Sequence, residues 1–134
     1  MSTPDITLIN LNMLFMRYGE EIEREAHVPL GCLYLTRALG DARGPFVAAS
    51  DFMKLVPEQI ARFLPGRLVP LGTDGFGLSD TRQALRRHFE VDAEFIALAA
   101  LDALRAEGQI DGRTVTRAIR KLKLDPDKIS APSI

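Results

Sequence analysis

Three glycines fall within six positions in the string Gly72-Thr73-Asp74-Gly75-Phe76-Gly77. Glycine permits positive φ and lets two stretches of backbone approach closely, so the string reads as a tight loop between a strand end and a helix start. Asp74 suits an Asx-turn, accepting from nearby backbone N–H groups. Ser79 suits the N-cap of the helix that follows, which leaves that helix N-terminus and the loop amides facing a common space. Phe76 is the one bulky apolar member. Two readings follow: a recognition loop at a domain or subunit contact, or a strand–helix turn held by one buried Phe. The string is neither a Walker loop nor a dinucleotide fingerprint.

Arg82, Arg86, Arg87 and His88 follow on one short helical stretch. Such a group can bind an anion, for example a phosphate or a carboxylate on a partner. The same run also suits a solvated helix face. The other histidine, His27, has no companion at metal-ligand spacing, and no His/Cys/Asp/Glu cluster has the spacing of a zinc site. Cys32 has no basic residue within three positions, so it reads as a buried, inert thiol.

The whole chain narrows these options. A formal net charge of −1 over 134 residues gives no global reason to expect nucleic acid or an acidic membrane as partner. A single cysteine excludes an internal disulfide framework and makes the cytoplasm the expected compartment. No apolar run reaches the roughly 18–20 residues of a membrane span, and the start lacks the features of a secretory signal. The length suits one domain of ordinary make-up.

The elements that must hold the loop are legible from residue 44 onward. Phe46-Val47-Ala48-Ala49, bounded by Gly44-Pro45 and Ser50-Asp51, is an unbroken apolar run of the kind found in buried parallel strands. Helical spacing of Val56, Ile60 and Leu64 predicts a main helix from about Val56, with Pro57 in its first turn and Pro65-Gly66 ending it. Residues 67–71 read as a second strand, which Pro70 assigns to an edge. Ser79 opens a helix to about His88 or Phe89. Asp92 caps a helix over 93–107, stopped by Gly108, and Asp111 caps a last helix over 114–122. Earlier, Ile6, Leu8 and Leu11 fit a strand, residues 17–27 read as a charged helix or loop with four Glu, and 28–35 carries no clear assignment. The order is that of an α/β fold.

Two strings carry a resemblance. Leu71-Gly72-Thr73-Asp74-Gly75-Phe76-Gly77-Leu78-Ser79-Asp80-Thr81-Arg82, continuing to Leu85-Arg86-Arg87-His88-Phe89-Glu90-Val91-Asp92, together with Ala49-Ser50-Asp51-Phe52-Met53-Lys54, resembles the C-terminal end of the homodimeric pyruvate dehydrogenase decarboxylating component. The looser pattern of Gly72, Asp74, Phe76-Gly77, Ser79, Leu85 and Phe89 resembles transketolase C-terminal domains too. The resemblance covers about residues 35–134. It implies a partial transketolase C-terminal-domain-like three-layer α/β fold, with a small, mostly parallel sheet and C-terminal helices. The implied organisation is an unmatched segment 1–34, a domain 35–124 and a polar tail 125–134.

The family decarboxylates pyruvate on thiamine diphosphate with a divalent magnesium ion and acetylates lipoyl groups. Its diphosphate motif is Gly-Asp-Gly followed by paired Asn. Here Thr73-Asp74-Gly75 lacks the leading Gly, and no Asn follows Asn12. No catalytic, cofactor or metal residue therefore transfers, and the chain alone is expected to bind no cofactor and to be inactive. What transfers is an interface role for Gly72, Asp74, Gly75, Phe76, Gly77 and Ser79, in self-association or against other subunits of the complex.

Two rivals stand beside this. The chain fits an independent interaction module that reuses a half-domain. Residues 112–123 hold Arg113, Arg117, Arg120, Lys121 and Lys123 with no acidic residue, so with the preceding helix they could pass for a helix-turn-helix nucleic-acid reader. Cations near a helix C-terminus also complement its dipole, and a pI near 6.1 weighs against DNA.

Overall fold

The computed structural model describes residues 7–10 and 37–129. His27, Cys32, the acidic run 17–27 and the segment 28–35 lie outside them. Three strands, β1 (Thr7–Asn10), β2 (Phe46–Ala49) and β3 (Leu68–Leu71), form a parallel sheet in the order β1-β2-β3. The register pairs Thr7 with Phe46 and Phe46 with Leu68. Residues 7–10 thus supply the third strand seen among the described residues. Among the described residues β3 is an edge strand, so the missing N–H of Pro70 breaks no ladder beyond it.

The architecture is that of a partial α/β domain, and β2 explains why. Phe46, Val47 and Ala48 are all buried, so both faces of this strand must be covered. Phe46 and Ala48 point one way, into a cluster with Leu39, Ala42, Ile60, Leu64 and Leu68. Val47, Val69 and Leu71 alternate to the other face, where the long helix α3 (Ala93–Ala106) lies against β2 and β3. Leu104 and Ala103 are buried there, and α4 (Gly112–Lys121) packs in turn on α3.

The helix expected from Val56 is interrupted. A single turn, α1 (Leu55–Glu58), gives way to a 3₁₀ turn at Ala61–Phe63. Successive bonds reach back only three residues: Ile60 N to Pro57 O at 3.2 Å, Phe63 N to Ile60 O at 3.0 Å and Leu64 N to Ala61 O at 3.2 Å. Buried Pro57 at one end and Pro65-Gly66 at the other leave too few residues for a regular helix that also turns Ile60 and Leu64 onto the sheet. Gly66 follows the segment at a point with no room for a side chain: a Cβ there would lie 2.7 Å from Gly44 O and 3.1 Å from the Phe46 ring.

The helices downstream are capped by residue types that favour the role. Asp92 accepts from Phe95 N at 3.0 Å, and Asp111 accepts from Thr114 N at 2.9 Å. Gly108, at φ +73°, closes the C-terminus of α3. Helix α2 (Arg82–His88) starts later than Ser79. Ser79, Asp80 and Thr81 are all good capping types, but it is Thr81 that turns extended (ψ 151°) and accepts from Ala84 N at 3.3 Å. No helix among the described residues is long and apolar enough to cross a membrane.

Candidate functional site

Strands β2 and β3 end side by side, so the loops that follow Ala49 and Leu71 meet at one rim. They are bonded into a single unit. Ser50 N donates to Leu71 O at 3.0 Å and Thr73 N to Phe52 O at 2.8 Å. The Thr73 hydroxyl donates to Asp51 O at 2.9 Å. Asp74, expected to turn on its own backbone, instead reaches across: Oδ1 accepts from Lys54 N at 2.9 Å, and Lys54 Nζ lies 3.4 Å from Oδ2. Gly72 makes the crossing sterically feasible. A Cβ there would lie 2.5 Å from Phe52 O and 2.7 Å from Lys54 N, closer than side chains tolerate. The two strings that carry the resemblance are therefore one structure.

Helix α2 locks onto the same rim. Arg86 donates through Nε (3.1 Å) and Nη2 (2.8 Å) to both carboxylate oxygens of Asp51. This bidentate pair holds the Asp51 carboxyl below the usual carboxylate range. The Arg86 hydrogen bond leads, partial burial opposes it, and the charges of Arg86 and then Arg82 assist.

Between loop and helix a cleft of about 420 Å³ opens, lined in part by Asp51, Thr73, Phe76, Arg82, Leu85 and Phe89. Its apolar wall is unburied. Phe76 is 86% exposed, so the notion of a turn held by one buried Phe is wrong. Glycines on both sides, with Gly75 at φ +98°, carry the ring outward rather than into the core. Phe52, Met53, Leu55 and Leu78 are each more than half exposed, on the same two loops or the turn that follows. Ser79 is exposed beside them. Gly77 has open space where a Cβ would stand.

The cationic group divides. Arg86 is engaged by Asp51; Arg87 pairs with Asp92 at 2.9 Å and lies over the Phe95 ring; His88 packs edge-on against Phe89. Arg82 alone of the four lines the cleft without joining an ion pair among the described residues. Sequence reasoning missed Asp51, because nothing marks a carboxylate 35 residues from its guanidinium as a partner. It also missed Lys128, placed in a polar tail. Its ammonium donates to His88 O (2.7 Å), Arg87 O (3.2 Å) and Glu90 Oε1 (2.9 Å), closing the C-terminal end of α2.

Fold and rim together define a partial α/β domain whose strand-end loops are cross-braced and present apolar side chains outward. No protein-family model matches the chain. Curated relatives do. Over 104 residues it is 51% identical to the pyruvate dehydrogenase E1 component of Mycobacterium tuberculosis, covering 78% of this chain and 11% of that protein. The corresponding figures for the enzyme of Cupriavidus necator are 47% over 114 residues, 85% and 12%. For that of Escherichia coli they are 46% over 98 residues, 72% and 11%. The chain belongs to the pyruvate dehydrogenase E1 component family, and spans about a tenth of the length of these relatives.

Proposed function

We propose that this chain is the C-terminal, subunit-packing portion of a homodimeric pyruvate dehydrogenase, with residues 35–124 as its transketolase-like domain. The complete enzyme of this kind decarboxylates pyruvate on thiamine diphosphate with magnesium and passes the acetyl unit to lipoyl groups in the cytoplasm. The observation that carries the packing role is the exposure of Phe76 and its neighbours on loops held rigid by Asp74, Gly72 and the Asp51–Arg86 pair. Large apolar side chains fixed in water lose free energy when a partner covers them, at roughly 25 cal/mol per Å² of apolar surface. Gly75 and Gly77 shape the outward turn, and Ser79 and Arg82 border it.

Among the described residues no three His, Cys, Asp or Glu side chains lie together as a metal-binding group. The chain's contribution is to pack and to shape the rim of a site built elsewhere.

The test is complementation. The chain is co-expressed with a pyruvate dehydrogenase E1 polypeptide shortened by the stretch that this chain matches. Co-purification with restored pyruvate decarboxylation is the expected result, and Phe76→Ser with Leu78→Ser should abolish both. The purified chain given pyruvate, thiamine diphosphate, magnesium and an artificial electron acceptor should show no turnover. Turnover by the chain alone, or complementation indifferent to the double substitution, overturns the assignment. Capture without restored activity favours the second reading, an independent interaction module using the same exposed loops.

A further inference from the structure

We propose that the outer face of α4 is a docking surface for a short acidic polypeptide segment. At about 100° per residue, Arg113, Arg117, Arg120 and Lys121 fall within roughly 100° of arc on one side of the helix. The opposite side carries Val115, Ala118, Ile119 and Leu122. Val115 is buried, and Val115 and Ile119 share a groove with Phe95 and Leu98 of α3, which fixes the rotation of α4 and turns the cations outward. All four are exposed, and none takes part in an ion pair among the described residues.

Helix polarity accounts for only half of this stripe. Arg120 and Lys121 lie in the last turn, where a cation complements the unpaired carbonyls. Arg113 is the second residue of the first turn, where the unpaired N–H groups oppose a positive charge, and Arg117 lies mid-helix. The one carboxylate at that end, Asp111, is engaged by Thr114 N at 2.9 Å and by the Thr114 hydroxyl at 2.6 Å. Apart from the charge of Arg117 acting on Asp111, Arg113 and Arg117 have no ion-pair partner among the described residues, and the stripe suits an external anion.

Its dimensions select the partner. Arg113 to Lys121 spans about 12 Å at 1.5 Å per residue. About four residues of extended peptide, at roughly 3.3 Å each, cover that length, so three or four neighbouring carboxylates can reach the stripe. Exposed Asp111 precedes the stripe in sequence, and exposed Lys123 follows it. A short run of carboxylates matches that length, whereas a nucleic-acid backbone would continue well past it. The chain's net charge of −1 points the same way.

The experiment is fluorescence anisotropy with the full chain and three probes: a labelled peptide containing four consecutive Glu, its all-Gln twin, and duplex DNA, each at low and high salt. The Glu peptide should bind, the Gln twin should not, and affinity should fall about tenfold as salt shortens the reach of exposed charges. Arg113→Gln with Arg117→Gln should weaken binding about fivefold, the scale of two exposed ion pairs, while Arg113→Lys with Arg117→Lys retains it. Circular dichroism should be the same for all forms. The proposal is overturned if the two peptides bind alike, if the Gln double variant binds as the parent does, if DNA binds more tightly than the Glu peptide, or if the Glu peptide fails to bind.

Discussion

At residue scale the rim depends on one missing side chain. Gly72→Ala introduces a methyl group into a space bounded by backbone, Phe52 O and Lys54 N, which cannot swing aside as a side chain would. Overpacking of this kind costs about 1–3 kcal/mol, read as a lower urea midpoint at unchanged slope. A variant as stable as the parent would show that the loops part without cost. The Asp51–Arg86 pair makes a separate, pH-dependent prediction. Its folded carboxyl titrates below the unfolded value of about 3.9, so its stabilisation is complete well above that value and disappears as pH falls through the folded one. Both groups are about half exposed, so Arg86→Ala should cost only about 0.5 kcal/mol at neutral pH, with the gap closing below about pH 4. A gap that widens in acid would refute the sign. Neither feature was legible in sequence. Glycine spacing announced a tight loop, but not that the tightness arises between two loops 20 residues apart. Nor did it show that Phe76 would point outward.

At the scale of elements, the downstream half followed from local chemistry. An uninterrupted Phe-Val-Ala-Ala run leaves no polar face, so β2 must be central. Asp92 and Asp111 supply caps for helices whose apolar stripes then pack on the sheet and on each other. The upstream segment 55–64 broke the rule, because its helical spacing is real while the buried Pro57 and the approach to the sheet favour tighter turns. The later start of α2 has a similar cause: three consecutive capping types leave the choice to the path of the chain. Gly108→Ala tests the best-defined boundary. A Cβ there meets nothing within 4 Å, so the cost arises from φ +73° alone, about 1 kcal/mol. A loss of 3 kcal/mol in thermal or urea unfolding would mean that the neighbourhood is more crowded than the structure shows.

For the molecule as a whole, Lys128 acts as a brace. Its ammonium ties residues 87, 88 and 90 to the end of the described chain and lies 5.1 Å from the Phe95 ring of α3. Lys128→Ala should cost roughly 1–2 kcal/mol, since hydrogen bonds to a charged donor are lost together. It should also speed amide exchange at the end of α2 more than in the core of α3. Equal effects on both helices would mean that the residue acts on global stability alone. The same integration bears on the rim, because α2 carries Arg86 at one side and receives Lys128 at its end.

The Asp51–Arg86 pair has one more consequence, for how such chains diverge. Each partner alone is an ordinary exposed side chain that drift could replace, yet the two close a single fork across 35 residues. Replacing one leaves a solitary charge beside the apolar surface around Phe76. Across diverging copies of this chain, positions 51 and 86 should therefore change as a couple, either both kept or both exchanged, while neighbours such as Gln83 wander independently.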